Sequence, residues 1–119
     1  MKYMLLIYNR PGFVDELTDE QRTELFGEVD ALLAELTASG ELVRGEGLAG
    51  PETARTVRLQ DGQPAVTDGP FSEAKEQFAG YTAVDCATRE RAEEIAARWP
   101  DVRYGGAIEV RAVMGGVEA

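Results

Sequence analysis

The order of apolar segments in this chain predicts an α+β fold, a split βαβ sandwich of ferredoxin-like type. Two segments with a helical period each lie between two apolar segments typical of strands, which gives strand-helix-strand twice. A small hairpin insert separates the two halves, and no linker or low-complexity stretch interrupts the 119 residues. We therefore expect one domain over residues 1–119, with both helices on one face of a mainly antiparallel sheet.

The first half begins with an apolar strand over residues 3–8, whose two faces should both be covered. Thr18 and Gln21 have the spacing of a capping box and predict the start of a long helix, which Gly40 should end. Apolar residues at helical spacing predict one buried stripe on this helix. The stripe consists of Leu25, Phe26, Val29, Leu32, Leu33 and Leu36.

The next strand, residues 41–48, alternates leucines and charged residues with smaller ones. By the two-residue period of a strand, one face should consist of Leu42, Arg44, Glu46 and Leu48. Gly45 and Gly47 on the other face allow close approach of a neighbour, or they mark a bulge.

The hairpin insert consists of two short strands, residues 55–59 and 65–67. Asp61-Gly62 lies between them and is typical of tight turns, because both residue types tolerate a positive φ. Pro64 cannot donate to a ladder, so the second arm should be short or lie at an edge.

The second half repeats the first with a strand over residues 78–86 and a last strand over residues 107–113. Between them, Thr88 should cap a second helix and Pro100 should stop it. The apolar face of that helix should consist of Ala92, Ile95, Ala96 and Trp99.

Composition limits the chemistry. A net charge of −10 repels phosphate backbones, so we expect no nucleic-acid partner. The chain has no histidine, so any acid–base group must be a carboxylate, Lys, Tyr, Cys or the amino terminus. One cysteine without histidine also leaves only oxygen ligands, and we expect neither a metal nor another cofactor.

Cys86 is the single cysteine, which excludes an intrachain disulfide and suits a reducing cytoplasm. Its neighbour Asp85 disfavours a thiolate, so a buried, inert thiol is the better interpretation. The apolar run over residues 3–8 is too short for a signal-peptide core, and no stretch approaches the ~20 apolar residues of a membrane span. We expect a cytoplasmic protein with no membrane partner.

Two helices on one side would leave the other face of the sheet bare. A second copy packed face to face would cover that apolar surface, and we therefore predict a homodimer that forms a dimeric α/β barrel. The alternative is that the hairpin insert folds back as a cover.

Candidate functional residues lie around the connection after the hairpin. Asp68 precedes Gly69-Pro70, and its carboxylate can act as a general base or a ligand anchor. The alternative is a turn cap that accepts backbone N–H groups. Lys75 and Glu76 are candidates for binding a polar ligand, with a solvated surface pair as the alternative.

Arg44 and Glu46 form the second group of candidates. If their face lines the space between two subunits, Arg44 can clamp a carboxylate and Glu46 can serve as a second catalytic carboxylate. The alternative is that the two satisfy each other at the sheet edge. Tyr8 and Tyr81 are candidates for offering hydroxyls into the same space, with packed rings and hydroxyls at the rim as the alternative.

One run of the sequence is distinctive: Asp68-Gly69-Pro70-Phe71, followed by Glu73, Lys75-Glu76-Gln77 and Gly80-Tyr81. It resembles the DGPF-domain proteins of the YCII-related family. The resemblance extends over nearly the whole chain and includes the opening strand and Glu109-Val110-Arg111 near the end.

The resemblance implies a dimeric ferredoxin-like α+β barrel and a polar cleft that has been suspected of enzymatic activity. It also implies genes that often lie beside alternative sigma factors. Related proteins commonly carry a histidine near the position of Tyr104 in this chain. Since this chain has no histidine, a histidine–aspartate pair cannot be carried over.

Two functional hypotheses result. The first is a protein that binds or converts a small organic molecule in a carboxylate-lined pocket at the sheet interface of a dimer. The second is a non-catalytic regulatory partner of another protein, such as an alternative sigma factor, whose basic surface would meet this acidic chain.

Overall fold

The computed structural model describes residues 1–72 and 74–115 of the chain, so Glu73 of the distinctive run lies outside the described residues. Within the described ranges, the elements in chain order are β1 (Lys2–Asn9), α1 (Phe13–Glu16), α2 (Asp19–Ala38), β2 (Leu42–Gly47), β3 (Arg55–Gln60), β4 (Gln63–Asp68), β5 (Gln77–Asp85), α3 (Arg89–Ala97) and β6 (Ala107–Ala112). Two short 3₁₀ helices, Pro51–Thr53 and Pro100–Tyr104, follow β2 and α3.

The main sheet has the order β2-β5-β1-β6, and all neighbouring strands are antiparallel. Strand β5 lies between β1 and β2, which is the split βαβ arrangement that the sequence predicts. Strands β3 and β4 pair only with each other and form the predicted hairpin insert. The α+β fold is therefore confirmed, and the topology is compatible with a ferredoxin-like fold.

The sheet has two unlike faces, which its register defines. On the helix face, Tyr3, Leu5 and Ile7 of β1 are buried and contribute to the main core with α2 and α3. On the open face, Met4 and Leu6 alternate with them and are only partly buried. Both faces of β1 were expected to need a cover, and among the described residues only the helix face has one.

Helix α2 begins and ends as the sequence predicts. The Thr18 hydroxyl accepts from the Gln21 backbone N–H at 3.1 Å, and the Gln21 side chain accepts from the Thr18 N–H at 2.9 Å. Gly40 closes the helix with a φ of 78°, a conformation that costs glycine little.

The predicted stripe on α2 is correct with one exception. Leu25, Leu32 and Leu36 are buried, and Val29 and Leu33 are partly buried. Phe26 is 52% exposed, so its predicted burial is wrong. The reason is that it lines an open cleft between α2 and the sheet.

The predicted facing of Leu42 is also wrong. A bulge leaves Val43 unpaired, because Leu42 pairs with Val84 while Arg44 pairs with the next residue, Ala83. Leu42 therefore lies on the helix face and packs against the core, whereas Arg44 lies on the open face.

An ion pair joins the start of β2 to α3. The Arg91 guanidinium donates from Nε and Nη2 to the two Glu41 carboxylate oxygens, both at 2.9 Å. These charge-assisted hydrogen bonds lower the pKa of Glu41 to about 2, although burial opposes the shift. They also raise the pKa of Arg91 above its ordinary value.

Cys86 is buried against the same core, as the sequence predicts. Burial raises the pKa of its thiol, and the charge of Glu41 raises it further, so the neutral form is favoured. Among the described residues, no helix combines the length and the apolar character needed to cross a membrane.

The Glu41–Arg91 pair predicts a specific pH dependence of stability. Because folding lowers the pKa of Glu41, its contribution is complete above about pH 4.5 and is lost as the pH falls towards 2. We expect Glu41→Gln to lower the free energy of unfolding at pH 7 by roughly 1–2 kcal/mol. Urea unfolding of both proteins between pH 7 and pH 2 measures this difference.

Glu94→Gln is the matched control, since Glu94 contacts the same arginine from an exposed position. It should change the free energy of unfolding far less. A wild-type advantage over Glu41→Gln that persists unchanged to pH 2 would contradict this account.

Candidate functional site

Three of the predicted site residues meet at the β2 edge of the open face. Arg44 donates from Nη2 to Glu46 Oε1 at 3.0 Å, and the Tyr81 hydroxyl donates to Glu46 Oε2 at 3.3 Å. Tyr81 is the partner of Glu46 in the antiparallel register, so the two side chains are direct cross-strand neighbours. The expected pairing of Arg44 with Glu46 is present.

This group is exposed to solvent. The hydrogen bond to Glu46 and the nearby charges raise the pKa of Arg44 above its ordinary value. Both side chains of the pair are more than half exposed, so water screens their attraction. Within one chain, Arg44 already forms a hydrogen-bonded ion pair with Glu46.

Tyr8 lies on the same face but contacts the opposite edge. Its ring packs against Phe78 with centroids 5.6 Å apart, and its hydroxyl donates to Glu109 Oε1 at 3.4 Å. The open face thus carries one tyrosine–glutamate contact at each edge, with apolar side chains between them. Sequence reasoning does not identify Glu109 as a site residue.

Asp68 is held by the hairpin rather than by the main sheet. It ends β4 opposite Arg55, and the Arg55 Nη1 to Asp68 Oδ1 distance is 3.1 Å. The turn itself is fixed by its backbone, because the Gly69 N–H donates to the Ala54 carbonyl at 2.8 Å and Gly69 has a φ of 96°. Among the described residues, the Asp68 carboxylate contacts Arg55 in a cross-strand ion pair, and no backbone N–H of a described residue donates to it.

Phe71, Lys75 and Glu76 of the distinctive run are exposed. The Arg58 guanidinium lies 4.7 Å from the centre of the Phe71 ring, which is the geometry of a cation–π contact. Lys75 and Glu76 are exposed on the connection to β5. The predicted site residues therefore lie in separate groups within one chain, and their roles stay predictions.

A cleft of about 570 Å³ lies on the helix face, between α2 and the β2–β5 edge of the sheet; we call it the helix-side cleft. Its volume is within the range of small-molecule sites. Its apolar lining includes Ile7, Phe13, Val14, Leu25, Phe26, Val29, Leu33, Leu42, Leu48, Phe78 and Trp99. Glu46 and Tyr81 also belong to its lining.

Several glycines line this cleft. A Cβ on Gly80 would lie 2.7 Å from the Glu46 carbonyl oxygen, and one on Gly45 would lie 3.0 Å from the Tyr81 carbonyl oxygen. Glycine at both positions therefore permits the close approach of β2 to β5. A Cβ on Gly47 would meet nothing within 4 Å, so the space beside it is open.

Three buried polar residues line the cleft: Asn9, Thr82 and Asp101. The Asn9 side-chain amide donates to Asp101 Oδ2 at 2.8 Å, which joins the end of β1 to the 3₁₀ helix after α3. Sequence reasoning missed all three. Thr82 could have been found, because by the two-residue period of a strand it shares a face of β5 with the apolar Val84.

These features place the protein in the class of α+β proteins with an antiparallel sheet and helices on one face. A cleft lies between the helices and the sheet. The sequence model of the YCII-related domain matches residues 1–115. The chain therefore belongs to the YCII-related family, as the resemblance in the DGPF run predicts.

A relative in Rhizobium meliloti (strain 1021) is named "Uncharacterized protein R00369". It is 30% identical over 96 residues, which are 81% of this chain and 77% of the relative. Neither its name nor that of the family specifies a substrate, so functional inference depends on the geometry of the site.

Proposed function

We propose that this protein binds a small organic molecule in the helix-side cleft. The observation that carries the proposal is the cleft itself, about 570 Å³ with apolar walls and three buried polar residues. Sites for small molecules typically combine such walls with a few polar groups that fix the orientation of the ligand. Location in a reducing cytoplasm, which a single buried cysteine suits, is part of the proposal.

Filling the cleft tests this function. Gly47→Leu would place a side chain in the open space beside Gly47, where a Cβ would meet no atom within 4 Å. Compounds found by a thermal-shift screen of small aromatic alcohols, amines, carboxylic acids and lactones should bind Gly47→Leu at least about tenfold more weakly, since the lost contacts exceed about 1.4 kcal/mol. Isothermal titration calorimetry measures the affinities.

Gly27→Leu is the matched control, because Gly27 lies on the exposed side of α2 with open space around it. This variant should keep the wild-type affinities. Equal binding by wild type and Gly47→Leu, or a screen without any binder, would contradict the proposed function.

We further propose that the open face is covered by a second copy, which gives a homodimer with sheets packed face to face. Two adjacent rows of side chains cross the four strands of this face. One row consists of Glu46, Tyr81, Leu6 and Glu109. The next row consists of Arg44, Ala83, Met4 and Arg111.

Each row thus has an apolar centre and like charges at its two ends. A two-fold axis that runs between the rows would place the carboxylate row of one copy over the arginine row of the other. This pairs opposite charges around a buried apolar centre, which is the composition of a self-complementary interface. The carboxylate-lined pocket predicted at the sheet interface would then be bordered by Glu46 and Glu109.

The dimer predicts a clear effect of one substitution. Leu6→Asp places a charge at the centre of the proposed interface, and the dimer should dissociate because an unpaired charge would be buried. Sedimentation velocity at micromolar concentration should give twice the mass of one chain for wild type and the mass of one chain for Leu6→Asp.

Leu59→Asp is the control, since Leu59 is an equally apolar side chain that lies on the hairpin. It should remain dimeric. A monomeric wild type, or a Leu6→Asp variant that is still a dimer, would contradict the proposed assembly.

A second candidate function is that of a non-catalytic partner of another protein, such as an alternative sigma factor. The hairpin favours it, because Val57, Leu59 and Val66 share one face and are 64%, 74% and 58% exposed. Such apolar surface on a two-stranded arm is typical of contact sites. Co-purification that Val57→Ser abolishes and Gly47→Leu leaves intact would support this candidate over ligand binding.

A further inference from the structure

The helix-side cleft contains a carboxylate that lacks a cationic partner among the described residues. Asp101 is only 9% exposed, and its side chain accepts a hydrogen bond from the neutral amide of Asn9. None of the ion pairs that join described residues includes Asp101. Buried charges in proteins are normally paired, so this wall of the cleft is suited to a positive group.

Arg10, which lines the cleft, is paired with groups other than Asp101. Arg10 places its Nη2 2.6 Å from Glu16 Oε2, and its Nη1 donates to the Tyr104 carbonyl at 3.2 Å. Glu46 lines the cleft as well, and its carboxylate is bound by Arg44 and Tyr81 at the open face. Asp101 is therefore the carboxylate of the lining whose charge remains unmatched among the described residues.

A second polar group is available on the sheet side of the cleft. Thr82 is 2% exposed and lines the cleft. Its hydroxyl lies beside Gly45, where the strand has no side chain to cover it.

We propose, as a refinement that rests on the proposed function, that the ligand of the cleft is an amine with an apolar body. Its ammonium group is received by the Asp101 carboxylate. The apolar walls take the hydrocarbon or aromatic body. The net charge of −10 adds a long-range attraction for cations and disfavours anions.

Three probes of nearly equal shape test the proposal: tryptamine, tryptophol and indole-3-acetate, which carry an ammonium, a hydroxyl and a carboxylate. Calorimetric titration of the full chain at pH 7 should show tryptamine binding at least about tenfold more tightly than tryptophol, because a hydrogen bond to a charged group is the stronger kind. Indole-3-acetate should bind most weakly.

Asp101→Asn keeps the shape of the side chain and removes its charge. It should weaken tryptamine binding at least about tenfold and leave tryptophol within about twofold. Asp30→Asn, at an exposed position of α2, is the control for net charge and should leave both affinities unchanged. If Asp101→Asn does not fold, as judged by circular dichroism, the preference of the wild type for tryptamine over tryptophol decides the proposal.

The outcomes separate the two proposals. Equal affinity for tryptamine and tryptophol, or tryptamine binding that survives Asp101→Asn, would overturn the amine proposal. If tryptophol binds the wild type and its binding is lost in Gly47→Leu, the proposed function stands even when the amine proposal is overturned. Binding of none of the three probes would overturn the amine proposal, whereas the proposed function is overturned by a screen without any binder or by equal binding of its compounds to wild type and Gly47→Leu.

Discussion

The close approach of strands β2 and β5 at their glycines is the constraint on which the rest of this structure depends. At Gly80 a Cβ would come within 2.7 Å of the Glu46 carbonyl oxygen, and at Gly45 within 3.0 Å of that of Tyr81. Only glycine keeps the edge strand paired here without displacement of its backbone. Beyond Leu42, the helix face of β2 consists of Gly45 and Gly47, which have no side chains, and the helix-side cleft lies over them.

This constraint gives the two faces of the sheet different roles. On the helix face, Leu32 and Leu36 of α2 pack over β1 and β5, while Phe26 remains half exposed beside the cleft. On the open face, β2 carries Arg44 and Glu46, whose charges stand at the edge of an apolar centre. One short strand thus separates a surface suited to a ligand from a surface suited to a second copy.

The sequence was sufficient for the order of the six strands and the two longer helices, because strand and helix periods and caps such as Thr18 are local properties. It did not predict α1, a single turn over Phe13–Glu16. It could not predict the bulge at Val43, which depends on how β2 meets its neighbour and reverses the facing of Leu42. Nor could it predict the contact of Asn9 with Asp101, residues 92 positions apart. The bulge and the Asn9–Asp101 contact both lie at the ends of elements, where a local sequence pattern shows only that the element stops. The cleft residues were therefore missed, although the fold was predicted.

The central claim is that the glycine-lined space on the helix face is where a ligand binds. Backbone amide NMR spectra recorded during a titration with tryptamine test it most directly. The account predicts that the largest shift changes occur at Gly45, Gly47 and Thr82. Changes confined to the open face, at Met4 and Tyr8 above all, would contradict it.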